Sequence, residues 1–238
     1  MPKFFIMKDL FYRYRYMFLT MAIISAVTLS LFYNALKPEK QLPIYTPAMV
    51  NPELVDSLVQ HQNNKMKHRI ADFSFENQNK KIITQNDYED VIYVADFFFT
   101  TCPTICPIMT DNMVWLQDKI KDMPNVKLLS FSVTPDIDTP DVLRKYADEK
   151  GVMDSKWNLV TGDKKAIYYL ARQSFLAVKT STVGELYDMV HTENFILVDK
   201  KGRIRGFYDG TNLNENKGDD TKNVTELLED INWLRQNS

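Results

Sequence analysis

Polar and apolar positions divide the chain into three textures. Residues 16–36 carry no charged side chain and are apolar at most positions, a run long enough for a helix to cross about 30 Å of hydrocarbon. Residues 37–67 turn to Pro38, Pro43, Pro47 and Pro52 among Asn, Gln and Lys, with no sustained apolar period, which reads as a linker. From residue 68 onward short apolar runs alternate with helical stripes.

Within that last part, residues 70–75 and 81–84 predict a short hairpin. Residues 91–99 are dense in β-branched and aromatic side chains, with Asp96 the polar exception, as in a central strand covered on both faces. Met109, Met113, Leu116 and Ile120 recur at helical spacing and predict an amphipathic helix that stops before Pro124, with the methionines in the core rather than serving as thioether ligands. Residues 126–133 predict a second strand. Thr139-Pro140-Asp141 supplies an N-cap, a proline at the first helical position and a first-turn carboxylate, with Gly151 as the stop. Residues 157–160 predict a short strand, and Asp163 caps a helix running to about Phe175. Residues 195–198 and 204–208 flank Lys200-Lys201-Gly202 as a hairpin. A last helix over 221–235 carries Val224, Leu227, Leu228, Ile231 and Leu234 on one face.

Two βα crossovers followed by an antiparallel hairpin and a closing helix predict an α/β, thioredoxin-like fold over residues 68–238, with a mixed central sheet flanked by helices. One transmembrane helix, residues 16–36, precedes it.

Charge sharpens the N-terminal reading. Residues 1–36 hold Lys3, Lys8, Arg13 and Arg15 against Asp9, a balance of +3 that leaves −5 for the rest of a chain whose net charge is −2. Basic residues ahead of the span place residues 1–15 in the cytoplasm and the remainder across the membrane. The apolar run exceeds the roughly 7–15 residues of a signal-peptide core, which favours an uncleaved anchor. The short basic start, without a long Arg- and Ser-rich presequence, points to a bacterial inner membrane and periplasm ahead of a mitochondrial intermembrane space. An acidic remainder without a basic stripe argues against nucleic acid.

The chain has two cysteines, and both fall in Thr100-Thr101-Cys102-Pro103-Thr104-Ile105-Cys106-Pro107, beyond the carboxyl end of the first central strand, where open α/β sheets place their sites. Because Pro103 and Pro107 cannot both lie in a regular helix interior, the helix is expected to start at Pro107 with Cys106 near its N-cap. Either sulfur then lies close to a helix N-terminus, which lowers thiol pKa values. The three intervening residues exceed the two of the thioredoxin motif. A redox-active pair and a chelate both remain open. Asp96 is open between a proton relay for the thiols and a satisfied structural carboxylate.

Two thiolates need further donors, and the histidines are His61, His68 and His191. His61 and His68 lack a neighbouring ligand at a metal-site spacing. His191 is the best candidate, because it lies on the approach to the strand at 195–198, whose entry loop runs beside the first βα turn. Cys102, Cys106 and His191 make a soft set suited to copper, particularly Cu(I), whereas zinc wants a fourth ligand.

Residues 93–107, the Ser132-Val133-Thr134-Pro135-Asp136-Ile137-Asp138-Thr139-Pro140 run, residues 157–162, and His191-Thr192 ahead of residues 195–202 together resemble the Sco (synthesis of cytochrome c oxidase) family, also called SenC. The resemblance implies a thioredoxin-like domain that binds copper, Cu(I) or Cu(II), through Cys102, Cys106 and His191. It implies a membrane-anchored assembly factor for the binuclear copper centre of cytochrome c oxidase, with the copper-bearing oxidase subunit as partner and other copper chaperones or thiol oxidoreductases as further contacts. Cys102 and Cys106 also form its redox-active pair, a thiol–disulfide role beside that of metallochaperone. Val190 departs from the acidic residue often found before that histidine, which bears on the hydrogen bonding around the imidazole. The main competing reading is a metal-independent thiol–disulfide oxidoreductase acting on a partner's cysteines. A thiol peroxidase ranks last, because no arginine lies near the motif in sequence.

Overall fold

The computed structural model describes residues 13–36, 40–47, 49–50, 68–177, 193–215 and 221–237. The chain divides into two compact units, Met1–Gln41 and Leu42–Ser238. The first contains one helix, α1 (Arg15–Leu36), of 22 residues, which at 1.5 Å per residue spans about 33 Å. Its described apolar side chains are exposed, and it is long and apolar enough to cross a membrane. Thr20 and Thr28 return their hydroxyls to the helix's own carbonyls at Met17 and Ile24, each at 2.9 Å, so these polar atoms are satisfied without water.

The second unit is built on a seven-stranded sheet. In chain order it contains β1 (Ser74–Asn77), β2 (Ile82–Thr84), β3 (Ile92–Phe98), α2 (Ile105–Ile120), β4 (Val126–Ser132), α3 (Pro140–Lys150), β5 (Trp157–Thr161), α4 (Lys164–Tyr169), β6 (Asn194–Val198), β7 (Ile204–Asp209) and α5 (Val224–Asn237). The strand order is β2-β1-β5-β4-β3-β6-β7. β3, β4 and β5 run parallel, joined by α2 and α3 as crossovers, while β6 and β7 return antiparallel. This is the thioredoxin-like mixed sheet that the element order predicts.

The two faces of β3 have different cover. Phe97 stacks on Phe131 at 5.2 Å and meets Phe175 edge-on at 5.6 Å, closing the face beneath the segment that follows α4. Phe98 and Asp96 point the other way, where Phe98 packs 5.7 Å from the ring of Tyr146 on α3. Met109, Met113, Leu116 and Ile120 are fully buried, as the stripe predicts. Thr139 caps α3 by accepting from the Val142 N–H at 3.4 Å, and Gly151 ends it at φ +74°, a conformation for which glycine pays no Cβ penalty.

Three features differ from the sequence reading. The first hairpin strand begins at Ser74 rather than at residue 70, because residues before it use their backbone elsewhere: the Ile70 N–H donates to Gly202 O at 2.8 Å and the Ala71 N–H to Ser174 Oγ at 3.0 Å. α4 ends at Tyr169 and continues as one wide π-turn, Leu170–Ser174. The segment read as a free linker over 37–67 begins by docking. Arg205 donates to Pro43 O at 2.9 Å and Leu42 O at 2.7 Å, the Tyr45 N–H reaches Ile204 O at 2.9 Å, and Leu42 and Val50 are buried. The rest of that linker, with His61, lies outside the described residues.

Candidate metal centre

The cysteine stretch lies where β3 gives way to α2. The helix begins at Ile105 with Thr104 as its cap, two residues earlier than the paired prolines suggest. The first-turn N–H groups of a helix have no intrahelical acceptor, so Pro107 loses nothing at the third helical position, and Pro103 stays outside. Cys106 is therefore inside the first turn and Cys102 in the loop before it.

Both cysteines are free thiols, 6% and 3% exposed for Cys102 and Cys106, and they are electrostatically unequal. Burial works against ionising Cys102. The backbone N–H groups of Cys106 and Thr104, with the Cys106 thiol and the Thr104 hydroxyl, outweigh it, and the Cys102 pKa lies below its ordinary value. The Thr104 hydroxyl is 3.9 Å from the Cys102 sulfur. For Cys106, burial dominates; with the neighbouring Cys102 and Asp96 acting in the same direction against a bond from the Phe99 backbone, its pKa is pushed up to about 12. The N–H groups at the helix start thus favour ionisation of Cys102, while burial opposes it at Cys106. The pattern was not visible in the sequence, because it depends on which sulfur the orphan N–H groups face.

Asp96 lies beneath the pair. Its carboxylate accepts a short hydrogen bond from the Ser130 hydroxyl, which in turn accepts from the Trp157 indole N–H at 2.8 Å. Burial raises its pKa to about 7 against that bond. It is both structurally satisfied and electrostatically felt at Cys106.

The start of the loop is clamped by Asp138, which is fully buried in the β4–α3 connection. Its carboxylate accepts from the Thr100 N–H at 3.2 Å, the Ser132 hydroxyl at 2.6 Å and the Thr134 hydroxyl at 3.0 Å, and receives a short bond from the Thr100 hydroxyl. In the sequence Asp138 stands out only as part of the Ser132–Pro140 run that carries the family resemblance, without a role of its own.

Of the histidines, His68 has its Nε2 2.7 Å from Ser174 O, and burial, partly offset by that bond, lowers its pKa. That contact engages its ring in the fold. His191 and Val190 lie outside the described residues. The register does bring the strand that follows His191 to the cysteine end of the sheet: Ala95 pairs with Ile196 and Tyr93 with Val198, so the start of β6 meets the finish of β3. Among the described residues, no group of three His, Cys, Asp or Glu side chains is arranged to hold a metal. The two sulfurs form a buried, soft, bidentate donor pair that fits a thiophilic ion or a disulfide.

Comparison with known proteins identifies the family. Residues 61–226 match the SCO1/SenC family model. The SCO1 protein homolog of Bacillus subtilis is 33% identical over 153 residues, which cover 63% of this chain and 79% of that protein. A solved structure of BsSco, a member of the Sco family of cytochrome c oxidase assembly proteins with a disulfide switch, superposes with a TM-score of 0.58 at 30% identity, covering 73% of this chain and 96% of that one. Bradyrhizobium japonicum ScoI, solved with copper bound, shares the fold at a TM-score of 0.51 and 22% identity, covering 71% and 98%. The extent of the family match, together with the paired thiols at the β3–α2 turn, shows that this chain belongs to the SCO1/SenC family.

Proposed function

We propose that the protein is a membrane-anchored copper-binding assembly factor that holds copper as cargo through Cys102, Cys106 and His191. The observation that carries this reading is the unequal thiol pair at the helix start. Cys102 is disposed to ionise, Cys106 is a protonated neighbour within hydrogen-bond reach, and an arriving soft cation displaces the remaining proton because thiolate is its ligand form. His191 completes a low-coordinate set suited to Cu(I). Copper on this fold in the Bradyrhizobium protein supports the same use of the site.

The physiological recipient is the copper-bearing subunit of cytochrome c oxidase, in line with the assembly role of BsSco. Residues 16–36 anchor the protein in the inner membrane, residues 1–15 face the cytoplasm, and the domain over 68–238 works in the periplasm. The same cysteines exchange between dithiol and disulfide with a partner protein's thiol–disulfide pair, which takes up or supplies the two electrons and two protons, and this couples metal release to redox state. Titrating the reduced full-length chain with Cu(I) tests the reading: one copper per chain is expected, with binding lost in Cys102→Ala and in Cys106→Ala. Undiminished binding in either variant contradicts it.

A further inference from the structure

α2 is tied to its surroundings by polar side chains that point in two directions. Toward α3, Thr110 bonds the Tyr146 hydroxyl at 2.7 Å, and Gln117 donates to Gly151 O at 3.0 Å while accepting from the Met153 N–H at 2.7 Å. Asn112 reaches the other way. Its amide donates to Gly210 O at 2.8 Å, and the Gly210 N–H donates to Glu193 O at 2.7 Å. Glu193 immediately precedes β6, and chain order puts it two residues after His191.

Two observations make this bridge more than a local contact. Asn112 is 9% exposed on a helix whose neighbouring Met109, Met113 and Leu116 are fully buried, and an amide in such a place is tolerated when it is hydrogen-bonded. Gly210 admits no side chain without displacement: a Cβ there meets Phe195 Cε1 at 2.9 Å and Glu193 O at 3.0 Å. The approach of β7's end to the entry of β6 is therefore set by glycine, and its height against α2 by Asn112. The pairing of Asn194 with Asp209 continues the same alignment into the sheet.

We propose that Asn112 and Gly210 are positioning residues for the metal centre, fixing the separation between the helix start that carries Cys106 and the strand entry that follows His191. The inference rests on the copper reading above and deepens it. A bridge of this kind acts on a ligand set drawn from both elements. It leaves untouched a reaction that needs only the two cysteines, which lie together at the β3–α2 turn.

The test uses the full-length chain in detergent, comparing wild type with Asn112→Leu and Gly210→Ala, and with Asn112→Asp as a variant of the same volume that lacks the N–H donor. Cu(I) affinity is measured by competition with a chromogenic chelator, the Cys102–Cys106 midpoint potential by equilibration with thiol–disulfide buffers, and folding by thermal unfolding. In folded variants the copper dissociation constant is expected to rise about tenfold, the low end of the roughly 10–100-fold that groups supporting metal ligands carry. The midpoint potential is expected to move by much less than the ~30 mV equivalent to a tenfold change in a two-electron equilibrium. Unchanged copper affinity in folded variants overturns the inference while leaving the copper reading intact, and so does a parallel shift of affinity and midpoint potential. Failure of the wild type to take up Cu(I) removes both.

Discussion

Two buried carboxylates hold opposite ends of the same sheet, and they are satisfied in different ways. At the hairpin end, Asp199 is 1% exposed and lies between guanidinium groups, 2.7 Å from Arg203 and 3.0 Å from Arg205, with the N–H groups of Lys201 and Arg203 at 2.9 and 3.1 Å. At the cysteine end, Asp138 has no exposed surface and accepts from neutral donors of Thr100, Ser132 and Thr134. The first arrangement joins β6, β7 and, through Arg205, the segment at Leu42 and Pro43. The second holds a loop two residues from Cys102. Charge compensation secures the scaffold, whereas neutral hydrogen bonds shape the site.

The contrast predicts that the two ends fail differently. The largest effect is expected from Arg205→Ala, which removes one partner of a buried ion pair and leaves two carbonyls without their donor. The cost is about 3–5 kcal/mol, read in thermal unfolding as a drop of roughly 10 °C for a domain of this size, with copper affinity per folded molecule unchanged. Altered copper binding in the folded fraction breaks the separation. Next, Asp138→Ala leaves buried N–H and O–H donors unpaired at a cost of about 1–3 kcal/mol. Unlike Arg205→Ala, it is expected to shift the Cys102–Cys106 midpoint potential, and an unmoved potential shows that the clamp does not set the loop.

The smallest effect is a pH dependence. Burial by itself raises the Asp199 carboxyl, but hydrogen bonds and charge from Arg203 and Arg205 outweigh it and hold the pKa below its ordinary 3.8. The unfolded chain therefore binds the proton more readily. Stability from this group is complete above about pH 4 and is lost as pH falls through the lowered folded value. Asp199→Asn should narrow the difference in urea-unfolding free energy between pH 5 and pH 3; an equal difference in variant and wild type assigns the acid sensitivity elsewhere, for example to Asp154, whose pKa is also lowered.

Much of this architecture is legible in local sequence because local rules decide it. The stripe at Met109, Met113, Leu116 and Ile120, the Thr139-Pro140 cap with Gly151 as stop, and the β6–β7 hairpin each follow from residues within one element. What escaped depends on partners far away in the chain. Arg205 captures Leu42 and Pro43 from more than 160 positions away, so a proline-rich segment that looks like a linker docks instead. Ile70 and Ala71 resemble strand but donate their N–H groups to Gly202 and Ser174. At the site, the cysteines and their turn were readable, but the early helix start at Ile105 and the opposed pKa shifts of Cys102 and Cys106 required the loop geometry. Asn112 is one polar position within an apolar stripe, and nothing short of Gly210 O at its amide distinguishes it.

If the cysteine pair serves copper together with His191, removing the imidazole must weaken the metal site while sparing the thiol couple. The most direct test is copper stoichiometry with spectroscopy on the full-length chain in detergent, wild type beside His191→Ala. One copper per wild-type chain and a marked loss of affinity in the variant are expected, with a Cys102–Cys106 couple that still oxidises and reduces as in wild type. Equal Cu(I) binding by wild type and His191→Ala contradicts the role of His191.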